Sequence, residues 1–277
     1  MDQNPEEIKD EMSQPGTIKV PVLSDLISRG ESADVLFWVG CAGAYDDRYQ
    51  KVTRDFVKIL DNLKISYAVL GTEESCTGDP AKRAGNEFLF QMQAMKNIEL
   101  MNRYKVTRII TACPHCFNTI KNEYPELGGQ YEVSHHSTYL QQLINEGKLK
   151  LQGDGDFKGK TITFHDSCYL GRGNDIYEAP REVLAGLDAN LVEMRRNRSK
   201  GLCCGAGGAQ MFKDAEPGDK EVNIERSEEA LEKNPDVIAT ACPFCMTMMT
   251  DGVKDKNKEA NVKVMDLAEL VAKTNKL

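Results

Sequence analysis

No stretch of the 277 residues stays apolar for the roughly 18 positions that cross a bilayer, so no transmembrane segment is expected. Basic residues are outnumbered, 35 against 43 acidic, and the formal charge of −8 excludes a sequence-blind nucleic-acid binder, which needs a basic face. The opening Met-Asp-Gln-Asn-Pro-Glu-Glu lacks the apolar core of an export signal, and a cytoplasmic protein is expected. A phosphate loop is also missing. Gly205-Ala-Gly-Gly208 has no Gly-Lys-Ser/Thr ending and follows cysteines, and Gly171-Arg-Gly173 is a weak match to a dinucleotide fingerprint, so nucleotide binding is not expected. With 40% hydrophobic and 28% charged residues, the composition is that of a globular chain with room for two ordinary domains or one large one.

What the sequence has is sulfur. Nine cysteines are too many for inert packing at this spacing, and an odd number spoils a simple disulfide framework. In a reducing compartment they point to metal or redox chemistry. The centre of the pattern is Gly201-Leu-Cys-Cys-Gly-Ala-Gly-Gly-Ala-Gln-Met-Phe212, where adjacent Cys203 and Cys204 sit on a turn of small residues. Such a turn lets backbone close on something bulky while its N–H groups point inward. Cys168 precedes it in His165-Asp-Ser-Cys168, and Cys242-Pro-Phe-Cys245 follows. Four thiolates suffice for a tetrahedral zinc or a cubane [4Fe–4S] cluster. Five exceed that need, so one either bridges irons in an unusual cluster or stays free as a redox partner.

The same spacing occurs earlier in the chain. Cys41, Cys76, Cys113 and Cys116 follow one another as Cys168, Cys204, Cys242 and Cys245 do, to within one residue at each step. Thr111-Ala-Cys-Pro-His-Cys116 and Thr240-Ala-Cys-Pro-Phe-Cys245 are near copies. Ser75 stands where Cys203 stands, so the first half offers four thiols, compatible with a cluster, with zinc or with neither. The repeat fits an alternation of strands and helices. Strands are expected at 34–39, 65–70, 108–112 and 131–133, then at 161–164, 191–194, 237–240 and 262–265. A helix near 49–63 carries Tyr49, Val52, Phe56, Leu60 and Leu63 on one face. Another at 86–104 carries Phe88, Met92, Met95 and Met101, a methionine stripe read as core filling. The Gly-, Asp- and Lys-rich stretch 147–160 reads as a linker. The expectation is therefore an α/β protein with a tail and docking segment at 1–33 and two tandem duplicated units at 34–150 and 161–277. Each would have a parallel sheet with cysteines at the C-terminal strand ends, where such sheets bind ligands.

Other polar residues carry two readings each. His115, inside Cys113-Pro-His-Cys116, would stabilise a thiolate if that pair were a thioredoxin-like dithiol, a reading that leaves seven cysteines unexplained. His165 is either a satisfied strand-end histidine or a donor to a cluster sulfur or substrate. His135 and His136, and Asp266 in the second half, suit polar strand-end roles better than ligation. Arg195, Arg196, Arg198 and Lys200 form a basic run, either a solvated loop or a surface for an anionic substrate or acidic partner. Asp46, Asp47 and Arg48 near Cys41 divide between helix capping and the same partner role.

One cysteine, then Cys-Cys-Gly, then Cys-x-x-Cys, present once in full and once altered at Ser75, resembles the cysteine-rich CCG domain over about residues 34–272. That domain occurs in a component of heterodisulfide reductase, in iron–sulfur subunits of glycolate oxidase and anaerobic glycerol-3-phosphate dehydrogenase, and in lactate-utilisation proteins. The resemblance implies a noncubane [4Fe–4S] cluster at Cys168, Cys203, Cys204, Cys242 and Cys245. At Cys41, Cys76, Cys113 and Cys116 it implies a second cluster or zinc. It implies an iron–sulfur oxidoreductase subunit that carries electrons, with a disulfide or a quinone-linked acceptor as the expected chemistry. A structural zinc protein without redox chemistry is the alternative. Relatives often carry Cys-x-x-Cys-x-x-Cys-x-x-x-Cys runs, which this sequence lacks. The donor is therefore expected on a ferredoxin-type iron–sulfur or flavin dehydrogenase partner, which could also bring peripheral association with a membrane.

Overall fold

The computed structural model describes residues 18–151, 155–214 and 217–277. The tail expected at 1–17 lies outside these residues, as does part of the expected 147–160 linker. Two four-stranded sheets form, each wholly parallel. The first runs β2-β1-β3-β4, with β1 Val35–Trp38, β2 Tyr67–Ala68, β3 Arg108–Thr111 and β4 Glu132–His135. The second repeats it as β6-β5-β7-β8, with β5 Thr161–Phe164, β6 Asn190–Leu191, β7 Val237–Thr240 and β8 Lys263–Asp266. Register repeats as well: Leu36 faces Ile109 in one sheet and Thr163 faces Ile238 in the other. β1 and β7 are buried along their whole length, as continuous apolar strands covered on both faces must be.

The second strand of each half is shorter than its apolar run suggested. In the first half Ile65 N instead bonds Leu60 O, closing the end of helix Tyr49–Asn62, and only Tyr67 and Ala68 pair with β1. In the second, Val192 N still reaches Ile162 O, after which the chain turns toward the cysteine loop. Ahead of β1, Val22 bridges Val69 and Leu23 begins a short helix, Leu23–Ser28, that docks on the sheet edge.

Helix Tyr49–Asn62 buries Tyr49, Val52, Phe56 and Leu60, as its stripe predicts. Helix Glu87–Arg103 corrects the methionine reading. Phe88, Met92 and Met95 are 76%, 55% and 59% exposed, and the buried face is Phe90, Ala94, Asn97, Ile98 and Met101. The Asn86 side chain caps the helix on Leu89 N, and Phe90 packs with Leu36 and Trp38 of β1 and against Gly78 in the loop after Cys76. Among the described residues no helix is long and apolar enough to cross a membrane.

The halves share one core. Phe56, Leu140 and Leu143 from the first half pack in the same cluster as Met249, Val253 and Val271 from the second. Polar struts reinforce it. The ring of His136, after β4, places Nε2 2.9 Å from Asp266 Oδ1 at the tip of β8, and both residues are fully buried. The Tyr49 hydroxyl donates to the other oxygen of Asp266 at 3.2 Å. Asp266 also caps helix Leu267–Thr274 through Ala268 N, in a capping box with Glu269. Glu269 in turn accepts from Arg48 at 2.6 and 2.7 Å. His135 takes the corresponding cap position, with Nδ1 on Ser137. The strand-end reading of His135, His136 and Asp266 thus matches the geometry. Asp46 caps Tyr49 N at 2.6 Å, while Arg48 is a cross-link between halves.

Asp266→Ala removes an acceptor shared by His136, Tyr49 and Ala268 N. Taking one partner from a buried polar pair costs about 3 kcal/mol, read as a lowered urea midpoint, and a loss under about 1 kcal/mol would contradict this view of the joint.

Candidate metal centre

Cys41, Cys113, Cys168 and Cys242 lie within four residues of the C-terminal end of a strand, while Cys76, Cys203 and Cys204 follow β2 and β6 through longer loops, and the turns that present the sulfurs are specific. Gly40, at φ +76°, breaks β1 so that Cys41 opens helix Gly40–Tyr45, and a Cβ there would sit 3.3 Å from Cys116 Sγ. The Glu74 carboxylate ties this turn down by accepting from Val39 N and Gly40 N at 3.0 and 2.6 Å. Burial raises that carboxyl to about 7, although both N–H bonds favour the charge. Cys76 follows β2, and Gly78 N donates to its sulfur at 3.4 Å. Cys113 caps the short helix Pro114–Asn118, which carries Cys116.

In this first nest the sulfurs of Cys41 and Cys76 adjoin, as do those of Cys113 and Cys116. The thiols divide protons. Cys41 donates to Cys76 and brings it down to about 6 against the effect of burial, while Cys41 itself is pushed up. Ser75 turns away, its hydroxyl donating at 2.7 Å to Asn97 Oδ1 of helix Glu87–Arg103.

The second nest repeats the design with one more sulfur. Cys203 receives Gly205 N at 3.3 Å, and Gly205 holds φ +94°, which folds the turn inward. Cys204 Sγ is 3.4 Å from Cys245 Sγ. Cys168 and Cys203 act on each other's proton, as do Cys203 and Cys204, and Cys242 and Cys245, so the five thiols form one interacting group. A Cβ on Gly207 would lie 3.9 Å from Cys168 Sγ, so the glycine turn closes against the sulfurs as expected. Donated bonds from Cys168 and Cys204 hold Cys203 far below the ordinary thiol range, and Cys168 and Cys204 are raised in compensation.

The two nests adjoin. Cys113, Cys116, Cys204, Cys242 and Cys245 belong to one buried cluster, together with Phe244. His115 crosses between them. Its Nδ1 lies 2.9 Å from Asp79 Oδ2, its ring stacks on Tyr169 at 4.0 Å and meets Phe244 edge-on at 4.9 Å. The ring also favours the ionised Cys242 sulfur. Burial opposes a charge on His115, yet Asp79 and Cys242 outweigh it and raise the imidazole to about 10. Cys242, also buried, falls to about 5 through Cys245 and His115. This replaces the dithiol reading of Cys113-Pro-His-Cys116, because the histidine serves a cysteine of the other half. Asp79, Tyr169 and Glu74 were not singled out from the sequence, where they look like ordinary turn residues.

His165 is 1% exposed, with Nδ1 accepting from Arg226 Nε at 3.0 Å. Burial and the Arg226 charge lower it to about 3, so the ring is neutral. Much of the basic run is internal scaffold. Arg196 pairs with Glu225 and Glu229, and Arg198 with Glu178 and Glu193; Arg195 and Lys200 are exposed. Beside the first nest a cavity of about 340 Å³ opens, lined by Cys41, Tyr45, Met211, Phe212 and Phe244 among others.

The donor set fits a metal–sulfur group. Five buried or half-buried thiols gathered on adjoining turns cannot all ionise without a counter-charge in their midst, and soft thiolates select zinc, copper(I) or iron–sulfur clusters over hard cations. Adjacent Cys203 and Cys204 on a glycine turn exceed what one tetrahedral ion requires.

Residues 35–121 and 162–250 each match the family model of the cysteine-rich domain CCG. The probable iron-sulfur-binding oxidoreductase FadF of Bacillus subtilis is 45% identical over 257 residues, 92% of this chain and 36% of its own. EtfAB:quinone oxidoreductase of Syntrophomonas wolfei is 42% identical over 250 residues, covering 88% of this chain and 35% of its own. A component of the dihydromethanophenazine:CoB–CoM heterodisulfide reductase of Methanosarcina barkeri is 34% identical over 251 residues, 87% of this chain and 59% of its own. The chain thus spans little more than a third of the first two relatives.

The proton distribution predicts an order of reactivity in the reduced, metal-free chain. At pH 7 Cys76 alkylates ahead of Cys41 and Cys203 ahead of Cys168, by peptide mass spectrometry. Because Cys76 is lowered to about 6, its rate falls as pH drops through that value and the thiolate is lost. Equal rates for Cys76 and Cys41 would contradict the arrangement.

Proposed function

The chain belongs to the cysteine-rich CCG-domain family, and from that premise we propose that it is the electron-carrying iron–sulfur part of an oxidoreductase. Iron–sulfur binding goes with the family; the ligands and the cluster type are our reading. Cys168, Cys203, Cys204, Cys242 and Cys245 hold a noncubane [4Fe–4S] cluster, and Cys41, Cys76, Cys113 and Cys116 hold the occupant of the first nest. What supports this is the fifth sulfur: Cys203 and Cys204 share the glycine turn that closes within 3.9 Å of Cys168 Sγ at Gly207, and Cys204 Sγ lies 3.4 Å from Cys245 Sγ. A bound cluster supplies one-electron chemistry at a potential set by its surroundings.

The chain's own residues prepare for that. Gly205 N donates to Cys203 Sγ, and N–H donors to sulfur adjust the potential of whatever the thiolate binds. Phe244, Cys242 and Cys245 are buried, which excludes water from the second nest. The first nest adjoins it across His115, and the cavity at Cys41, Tyr45 and Phe212 offers a route of approach from the surface. An acceptor, or a ferredoxin-type or flavin-containing partner, would meet the protein on that side. Relatives carry names of quinone and heterodisulfide oxidoreductases and are longer than this chain. The donor is accordingly assigned to a ferredoxin-type iron–sulfur or flavin dehydrogenase partner. Nine unpaired thiols suit a reducing compartment, in keeping with a cytoplasmic placement.

Zinc at the first nest is a second reading, favoured there by the engagement of Ser75 with Asn97, which leaves four thiols. Iron, sulfide and zinc analysis of protein purified without air separates the possibilities. Cys204→Ser is expected to remove the iron and sulfide of one cluster and leave the other site's metal in place. Cys76→Ser should remove only the first-nest metal, whichever it is. A colourless wild type holding zinc and no sulfide would overturn the proposal.

A further inference from the structure

We infer that Arg226 locks the His165 ring as an N–H donor directed at the sulfurs of the second nest, so that His165 is a donor to the bound group and not one of its ligands. The inference rests on the reading of that nest as a metal–sulfur site. Its basis is the assignment of hydrogens. A neutral imidazole has one N–H and one lone pair. Arg226 has no lone pair to offer, and its Nε sits 3.0 Å from His165 Nδ1. Nδ1 must therefore accept, which leaves the hydrogen on Nε2. A metal ligand needs a lone pair at the coordinating nitrogen, and Nε2 in this tautomer has none.

Arg226 is itself held. It is fully buried, with Nη1 donating to Arg196 O at 2.8 Å and to Glu229 at 3.2 Å. Glu229 is fixed in turn by Arg196, through N at 2.5 Å and Nε at 2.7 Å. Neither the guanidinium nor the ring can turn over without breaking this chain.

Nε2 of His165 is buried and has no hydrogen-bond partner among the described residues. A His165 ring nitrogen lies within 4.8 Å of both Cys204 Sγ and Cys245 Sγ. A buried N–H without an acceptor costs about 1–3 kcal/mol, so its retention beside sulfurs points to an acceptor that those sulfurs bring with them. The other half supports this independently. Trp38 stands before Cys41 where His165 stands before Cys168, is fully buried, and its indole N–H also lacks a partner among the described residues. An indole N–H can only donate. The duplicated scaffold thus keeps a buried N–H donor at the same position in both halves, with two different side chains. Arg226 is the positioning residue in this arrangement.

The sign of the effect follows. A donated hydrogen bond withdraws charge from sulfur and favours the reduced, more negative state, so losing it lowers the midpoint potential.

The test uses anaerobically prepared chain carrying its iron, with iron and sulfide measured for each variant. His165→Gln, which retains an N–H, should keep wild-type iron and a midpoint near that of wild type. His165→Leu should keep the iron and shift the midpoint to more negative values. Loss of iron from both variants with unchanged circular dichroism would make His165 a ligand and overturn the inference, as would an unchanged midpoint in His165→Leu. A second readout needs no cluster. Nitrogen-15 NMR of the histidine-labelled, metal-free chain should show His165 protonated at Nε2, with that preference relaxed in Arg226→Met. Protonation at Nδ1 in wild type would overturn the inference whether or not His165→Leu folds. A wild type that takes up no iron would count against the cluster reading alone, because the NMR result still decides the tautomer.

Discussion

Sulfur crowding is the constraint around which this protein is arranged. Nine thiols gather in two adjoining nests, with Cys204 Sγ only 3.4 Å from Cys245 Sγ. Thiolates so close together repel, and burial penalises every charge among them. The protein relieves part of that cost with backbone donors at Gly78 and Gly205 and with the His115 imidazole against Cys242. It leaves the rest to be met by whatever positive charge occupies the nest. This explains why rigid features gather here: the positive φ at Gly40 and Gly205, the Glu74 carboxylate gripping two backbone N–H groups, and the buried Arg226 behind His165.

The duplicated fold supplies the rigidity. Parallel strands end together at one edge, so each half delivers its cysteines to one place from three separate turns. The halves then meet through a common core and through His136, Asp266, Tyr49, Arg48 and Glu269, all near the cysteine-bearing ends of the strands. Repetition is not symmetry in detail. The first half gave up a thiol at Ser75 and turned the hydroxyl to Asn97; the second placed Arg226 on its own helix behind the nest and aimed it at His165. One half thus has four sulfurs with a buried indole ahead of Cys41, the other five sulfurs with a buried imidazole ahead of Cys168.

Much of this is legible in the sequence. Cysteine spacing and the paired Thr-Ala-Cys-Pro motifs led to the repeat, the repeat to two parallel sheets, and the sheets to cysteines at strand ends, because these steps depend on local pattern and topology. Helix phase was harder. Phe88, Met92 and Met95 have helical spacing, but so do Phe90, Ala94, Ile98 and Met101, and only the cap at Asn86 and the packing of Phe90 on Gly78 choose between the faces. The long-range partners were also hidden. Nothing near His115 in sequence announces Asp79 or Cys242, and the basic run at 195–200 could not be seen to spend Arg196 and Arg198 on carboxylates distant in sequence. His165 illustrates the limit well. Its place before Cys168 was plain, whereas its tautomer depends on an arginine brought in by folding.

The claim on which the account stands is that these sulfurs hold an iron–sulfur cluster in the second nest. X-ray absorption at the iron and zinc edges of the protein purified without air tests it most directly. The account predicts iron surrounded by sulfur with a short iron–iron vector, an assembly that only a multi-iron cluster produces. Iron without an iron–iron vector, or zinc alone in a four-sulfur shell at both nests, would contradict it.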